Sequence, residues 1–261
     1  MNRLRMFRAG VALRLLALSC CLGLLPWQAF AAAAIDGHLT GSRGCTVNYQ
    51  IYEPDRPTAS PPIILTHGFM RNLHTLTGWG TQLSARGFRV VLMSLCNSSW
   101  LSGRHQANAN DLVAARQHLG FNAVIYGGFS AGGLSAYIAA LNDPSSAGYI
   151  GLDAVDSGNL ALNSPAPLQV PALFVTAPAS VCNADGNFEQ VMSSLPSHDT
   201  VALTQANHCA FEMPNDRRCN WICGRLSEAE TVAAQQQIIS AVANWLQQYF
   251  PAAASDEHAV Q

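Results

Sequence analysis

The sequence predicts an α/β chain whose mainly parallel sheet is covered by helices on both faces, and three observations lead there. Short β-branched runs such as Ile63-Ile64-Leu65-Thr66 and Ala123-Val124-Ile125-Tyr126 read as buried strands. Segments with helical spacing alternate with such runs along the chain. Strands separated by helices need crossover connections, and these place helices on both faces of a parallel sheet.

In order, residues 46–52 alternate Val47, Tyr49 and Ile51 with Thr46, Asn48 and Gln50, the pattern of a half-exposed strand. A proline-rich connection leads to the strand at 63–66, which runs into His67-Gly68-Phe69-Met70. The spacing predicts a helix over 72–86, stopped by Gly87, then a strand over 88–95. Residues 96–106, with Trp100, read as a polar loop, and 109–119 as a helix stopped by Gly120. Strands at 149–152 and 173–176 precede a helix over 188–195, and 201–203 is the last strand. Ser227-Glu228-Ala229-Glu230 is a capping box that opens a helix ending near Phe250, before Pro251. The stretch between Asp156 and Pro171 is too short for a large lid domain, so an open site is expected.

The chemistry centres on residues 123–142. A strand, a Gly-rich turn and a helix with Leu134, Ile138 and Leu141 follow one another there. The turn, Gly128-Phe129-Ser130-Ala131-Gly132, matches G-x-S-x-G and resembles the nucleophile elbow of α/β-hydrolases. Such a turn lifts the serine hydroxyl off the sheet edge, and a side chain two residues to either side would clash with strand or helix. Ala131 opens the helix, so its N–H is available to an oxyanion, and the N–H of Phe69 in the H-G turn is the second candidate donor.

Serine needs a base, and in this fold the chain order is serine, acid, histidine. His208 follows the last strand by a short loop, whereas His198 precedes that strand and His258 lies in the tail. Three carboxylates compete for the acid role. Asp153 ranks first because it directly ends the strand at 149–152, with Asp185 second and Asp156 third.

The motifs H-G-F-M, G-F-S-A-G, G-L-D-A-V-D, C-N-A-D-G-N-F and N-H-C-A-F-E, in that order, resemble the chlorophyllase and platelet-activating-factor acetylhydrolase branch of the α/β-hydrolases. The resemblance implies Ser130 as nucleophile, His208 as base and Asp153 as acid, and it places Asp185 in a non-catalytic loop. Phe129 stands where that branch often has a histidine, which argues against a chlorophyll substrate. The implied enzyme is a carboxylesterase or lipase-like serine hydrolase that needs no cofactor. The other readings of the same residues are a peptidase or thioesterase on the same triad, and a catalytically silent binding protein.

Composition bounds the rest. The 261 residues contain no lysine and 11% charged residues, and no basic patch points to nucleic acid. Residues 1–31 read as a secretory signal peptide: Arg3, Arg5 and Arg8, a stretch from Val11 to Leu25 that is apolar apart from Arg14, Ser19 and Cys20-Cys21, then Ala29-Phe30-Ala31. Without this leader, ten arginines face sixteen acids, a net charge of −6. A secreted or periplasmic, monomeric domain over 35–251 without a stable membrane anchor is expected, with a disordered tail over 252–261. Its substrate is expected to be a small-molecule, lipid or polymer ester. Six cysteines remain: Cys45, Cys96, Cys182, Cys209, Cys219 and Cys223. The C-x3-C spacing near His208 suggests zinc, but an exported chain favours disulfides, so the expectation is three disulfides and no metal. Cys45–Cys96 is the expected amino-terminal pair, and Cys209 is expected to pin the His208 loop.

Overall fold

The computed structural model describes residues 33–99 and 102–251. The expected leader, Trp100 and the tail over 252–261 lie outside the described residues.

Among the described residues, eight strands form one sheet. They are β1 (Ile35–Thr40), β2 (Thr46–Tyr52), β3 (Ile63–Thr66), β4 (Val90–Met93), β7 (Val124–Phe129), β8 (Ser146–Leu152), β9 (Ala172–Thr176) and β10 (Asp199–Ala202). The two-residue strands β5 (Ser98–Ser99) and β6 (Ser102–Gly103) pair separately. The order across the large sheet is β1-β2-β4-β3-β7-β8-β9-β10. Pairing is parallel from β4 to β10 and antiparallel where β1 meets β2 and β2 meets β4.

The helices are α1 (Thr77–Ser84), α2 (His105–His118), α3 (Ala131–Asn142), α4 (Glu189–Ser193), α5 (Arg217–Cys223) and α6 (Glu228–Tyr249). Trp79 and Leu83 of α1 and Ile238, Val242 and Leu246 of α6 pack on one face of the sheet. Leu112 of α2, Leu134 and Tyr137 of α3 and Val191 of α4 pack on the other. Both faces are therefore covered, and β3, β4 and β7 are buried along their whole length. That is why they read as continuous apolar runs rather than alternating ones.

Several segments differ from the sequence-based expectation, among them the helix over 72–86, which is a 3-10 turn, Leu73–Leu76, followed by α1. β1 is an edge strand with only Leu39 buried, so it carries no alternating signal. α2 begins at His105, inside the expected polar loop, because its first turns bury polar groups. His105, Asn108 and Asp111 are all enclosed, and the Asn108 side chain accepts from the Asn97 N–H at 3.1 Å. α5 escapes sequence reading because only Cys219 is buried on it. The capping box at Ser227 forms as expected, with Ser227 Oγ accepting from Glu230 N and Glu230 accepting from Ser227 N.

Between β8 and β9 the chain holds only a short 3-10 turn, Ser157–Asn159, so no lid domain sits there. The carboxyl ends of β3, β7, β8 and β10 all point to one edge of the sheet, and the candidate residues collect along it. Among the described residues, no helix is long and apolar enough to cross a membrane.

Candidate active site

Ser130 links β7 to α3 with φ 53° and ψ −123°, a left-handed backbone that a non-glycine residue adopts only under constraint. The flanking glycines supply that constraint. A Cβ on Gly128 would run into the backbone of Gly132, and one on Gly132 would strike the carbonyl of His67 and the hydroxyl of Thr66. Strand, helix and the H-G turn therefore meet too closely for any side chain at these two positions. The Ser130 N–H donates to Leu152 O at 3.0 Å, which ties the turn to the end of β8.

His208 opens a 3-10 turn, His208–Phe211. Asn207 caps this turn, its side-chain oxygen accepting from Ala210 N at 3.0 Å while its amide donates to Gly224 O at 2.6 Å. The next residue, Cys209, is joined to Cys219 of α5, and Cys223 of the same helix is joined to Cys182. Two disulfides thus hold α5 and the His208 turn, and the sulfurs of the C-x3-C pair are both consumed in them. Cys45 and Cys96 form the third bridge, between the loop after β1 and the loop after β4.

The imidazole spans two partners. His208 Nε2 lies 3.0 Å from Ser130 Oγ, and Nδ1 lies 2.6 Å from Asp153 Oδ2. All three residues are buried, with exposures of 8, 7 and 3% for Ser130, His208 and Asp153. The Phe129 ring lies 4.6 Å from the imidazole, centroid to centroid, and covers it from the strand side.

Asp153 directly follows β8, with φ 43°. Its N–H donates to Val175 O at 2.8 Å, and its Oδ1 accepts from Ala177 N at 3.0 Å. The Asn183 amide lies 3.3 Å from each of its oxygens. Sequence reasoning missed Asn183. Its own oxygen accepts from the N–H groups of Ser180 and Gly186, so the turn at 180–186 aims the amide at Asp153. The other two carboxylates stand apart from His208. Asp156 accepts from Ala161 N and Leu162 N at 2.9 and 3.0 Å and shapes the following turn. Asp185 sits at an exposed turn with φ 56°.

The H-G turn lies against the elbow: a Cβ on Gly68 would come 3.2 Å from Ser130 Cβ. Among the described residues, neither Phe69 N nor Ala131 N donates to a protein acceptor, so both remain available to a ligand. His67 sets the turn from beneath. Its Nδ1–H donates to Gly68 O at 2.8 Å, and its Nε2 accepts from Leu95 N at 2.9 Å. Burial holds its pKa down to about 4, against the bond to Gly68 and with help from the nearby Arg71 charge. A neutral ring is what this pair of bonds requires, since only one nitrogen carries the proton.

Taken together, these groups offer a hydroxyl hydrogen-bonded to an imidazole, a carboxylate on the imidazole's far side, and two amide N–H groups, of Phe69 and Ala131, without protein acceptors in the segments that adjoin Ser130. Such a set can perform acyl transfer without a metal ligand.

Comparison with known proteins agrees with this architecture. A family model for the alpha/beta hydrolase fold matches residues 61–175, from just before β3 into β9. No curated protein sequence matches the chain. Among solved structures, a ferulic acid esterase from Streptomyces cinnamoneus is similar with a TM-score of 0.66 at 16% identity, over 85% of this chain and 92% of that one. A lidless α/β serine hydrolase from Xanthomonas campestris gives 0.59 at 14%, over 86% and 99%. A thermophilic esterase from Thermogutta terrifontis gives 0.58 at 16%, over 83% and 100%. At such identities the likeness is one of fold. The family model matching its strand–elbow core and the likeness to these structures agree that the chain has the α/β-hydrolase fold.

Proposed function

We propose that this chain is an exported serine hydrolase that cleaves carboxylic esters, with its activity carried by one domain over residues 35–251. The observation that carries the reading is the continuous array from Asp153 through His208 to Ser130, set on a left-handed elbow. Ser130 attacks the ester carbonyl while His208 Nε2 takes its proton. Asp153 holds the Nδ1–H tautomer and stabilises the imidazolium that forms. The Phe69 and Ala131 N–H groups receive the oxyanion, each worth ~2.7–4 kcal/mol in the transition state. His208 then returns the proton to the leaving alcohol. Water repeats the sequence on the acyl-enzyme, releasing the acid and restoring Ser130.

Phe69 and Met70 are exposed beside the H-G turn, which supports an ester with an apolar acyl part. The three disulfides support export, since such bonds persist in oxidising compartments. The order of motifs supports the chlorophyllase and platelet-activating-factor acetylhydrolase-like branch. A panel of p-nitrophenyl esters of rising acyl length tests the reading, with Ser130→Ala as control. Turnover by the wild type that the variant loses is expected; equal rates in the two would remove Ser130 from the mechanism.

A further inference from the structure

The loop carrying Phe69 and the loop carrying His208 are joined by one ion pair. Arg71 lies two residues beyond Phe69, and Glu212 four beyond His208. Arg71 Nε meets Glu212 Oε1 at 2.6 Å across a sequence separation of 141 residues. The Glu212 side chain is fully enclosed and that of Arg71 is 16% exposed. Asp216 Oδ2 lies 3.5 Å from the same Nε.

Both ends of the pair are fastened to the functional turns. Glu212 closes the turn that His208 opens, its N–H donating to Cys209 O at 3.1 Å, and its carbonyl accepts from Gln235 Nε2 of α6 at 2.7 Å. Arg71 closes the H-G turn, with its N–H 3.3 Å from Gly68 O. Ion pair and turns thus form a strap from one side of Ser130 to the other.

Stability alone is a poor reason for such a pair. Desolvation offsets most of the attraction between buried charges, and apolar replacements are often neutral or better. Glu212 Oε2 has no hydrogen-bond partner among the described residues, and burial raises the pKa of this carboxyl against the pull of Arg71. A rigid distance between two loops is what the arrangement does supply.

We propose that Arg71 and Glu212 are positioning residues that fix the His208 imidazole relative to the Phe69 N–H, so that base and oxyanion donor act on the same acyl group. This rests on the serine-esterase reading of Ser130. The experiment compares kcat and KM on p-nitrophenyl butyrate for wild type, Glu212→Gln, Arg71→Met, Arg71→Lys and the double variant Arg71→Met/Glu212→Leu, with folding followed by circular dichroism. Loss of alignment predicts a fall in kcat of ~10- to 100-fold in Glu212→Gln and Arg71→Met. KM should stay within about two-fold, because ground-state contacts are untouched. Arg71→Lys should recover part of the loss. The double variant should fold, because no fully buried charge is left unpaired and Asp216, 26% exposed, keeps its access to water, and it should still be slow. A folded double variant with wild-type kcat overturns the proposal and leaves the pair a purely structural contact. If the single variants fail to fold, the double variant decides alone. The parent reading has its own control: retained activity in Ser130→Ala overturns the serine assignment, and the strap with it. A slow double variant beside an inactive Ser130→Ala supports both.

Discussion

The side-chain amide of Asn183 bridges both carboxylate oxygens of Asp153, 3.3 Å from each. It thereby holds the carboxylate plane in which Oδ2 meets His208 Nδ1. Asn183→Ala should lower kcat ~10-fold through misplacement of Asp153, with little change in KM. Steady-state kinetics on a soluble ester check this; an unchanged kcat in the folded variant would reduce Asn183 to a turn former.

The acid assignment separates sharply by mutation. Asp153→Asn should cost ~10⁴-fold in kcat, because the amide leaves His208 in the wrong tautomer. Asp185→Asn should stay close to wild type, since Asp185 lies at an exposed turn away from the imidazole. A dead Asp185 variant would move the acid to the later strand and overturn the branch assignment.

Acid should destabilise the protein through His67. Its folded pKa of about 4 lies below the ordinary value of 6.5, so above that value neither state binds the proton. As pH falls from 6.5 towards 4, the unfolded chain binds a proton that the folded one refuses, and stability drops. The full drop is about 3 kcal/mol, reached below the folded pKa. Glu212 acts in the opposite sense: its raised pKa adds stability as pH falls. The His67 contribution is therefore read from the difference between wild type and His67→Gln in urea midpoints at pH 7, 5 and 4. Parallel pH profiles for the two proteins would contradict it.

The bridge between Cys209 and Cys219 closes a loop of ten-residue separation next to His208. Replacing both cysteines by alanine should cost about 2–4 kcal/mol in thermal or denaturant unfolding. It should also lower kcat at temperatures where the fold persists, because the His208 turn loses its tie to α5. Full activity in the folded variant would show that Asn207 and the ion pair at Glu212 suffice to hold the turn.

Local signals carried much of this architecture. The elbow was legible because strand, Gly-rich turn and helix are contiguous, and Gly128 and Gly132 are required by contacts within that unit and with His67. The placement of His208 beside Ser130 and Asp153 was legible because chain order and strand position narrow the histidines. What could not be read depends on distant partners. Asn183 carries no charge and acts on a residue thirty positions away. Arg71 and Glu212 look like ordinary surface charges until the fold brings them together. The early start of α2 is hidden because His105, Asn108 and Asp111 are buried against Ser135, Asn97 and Ser42 on other segments rather than showing an apolar stripe.

The most direct test of the account is covalent labelling of the folded, disulfide-intact protein with a fluorophosphonate, followed by peptide mass spectrometry. Stoichiometric modification at Ser130 is expected, abolished in Ser130→Ala and strongly slowed in Asp153→Asn. An unmodified Ser130, or modification at another serine with Ser130 intact, would contradict it.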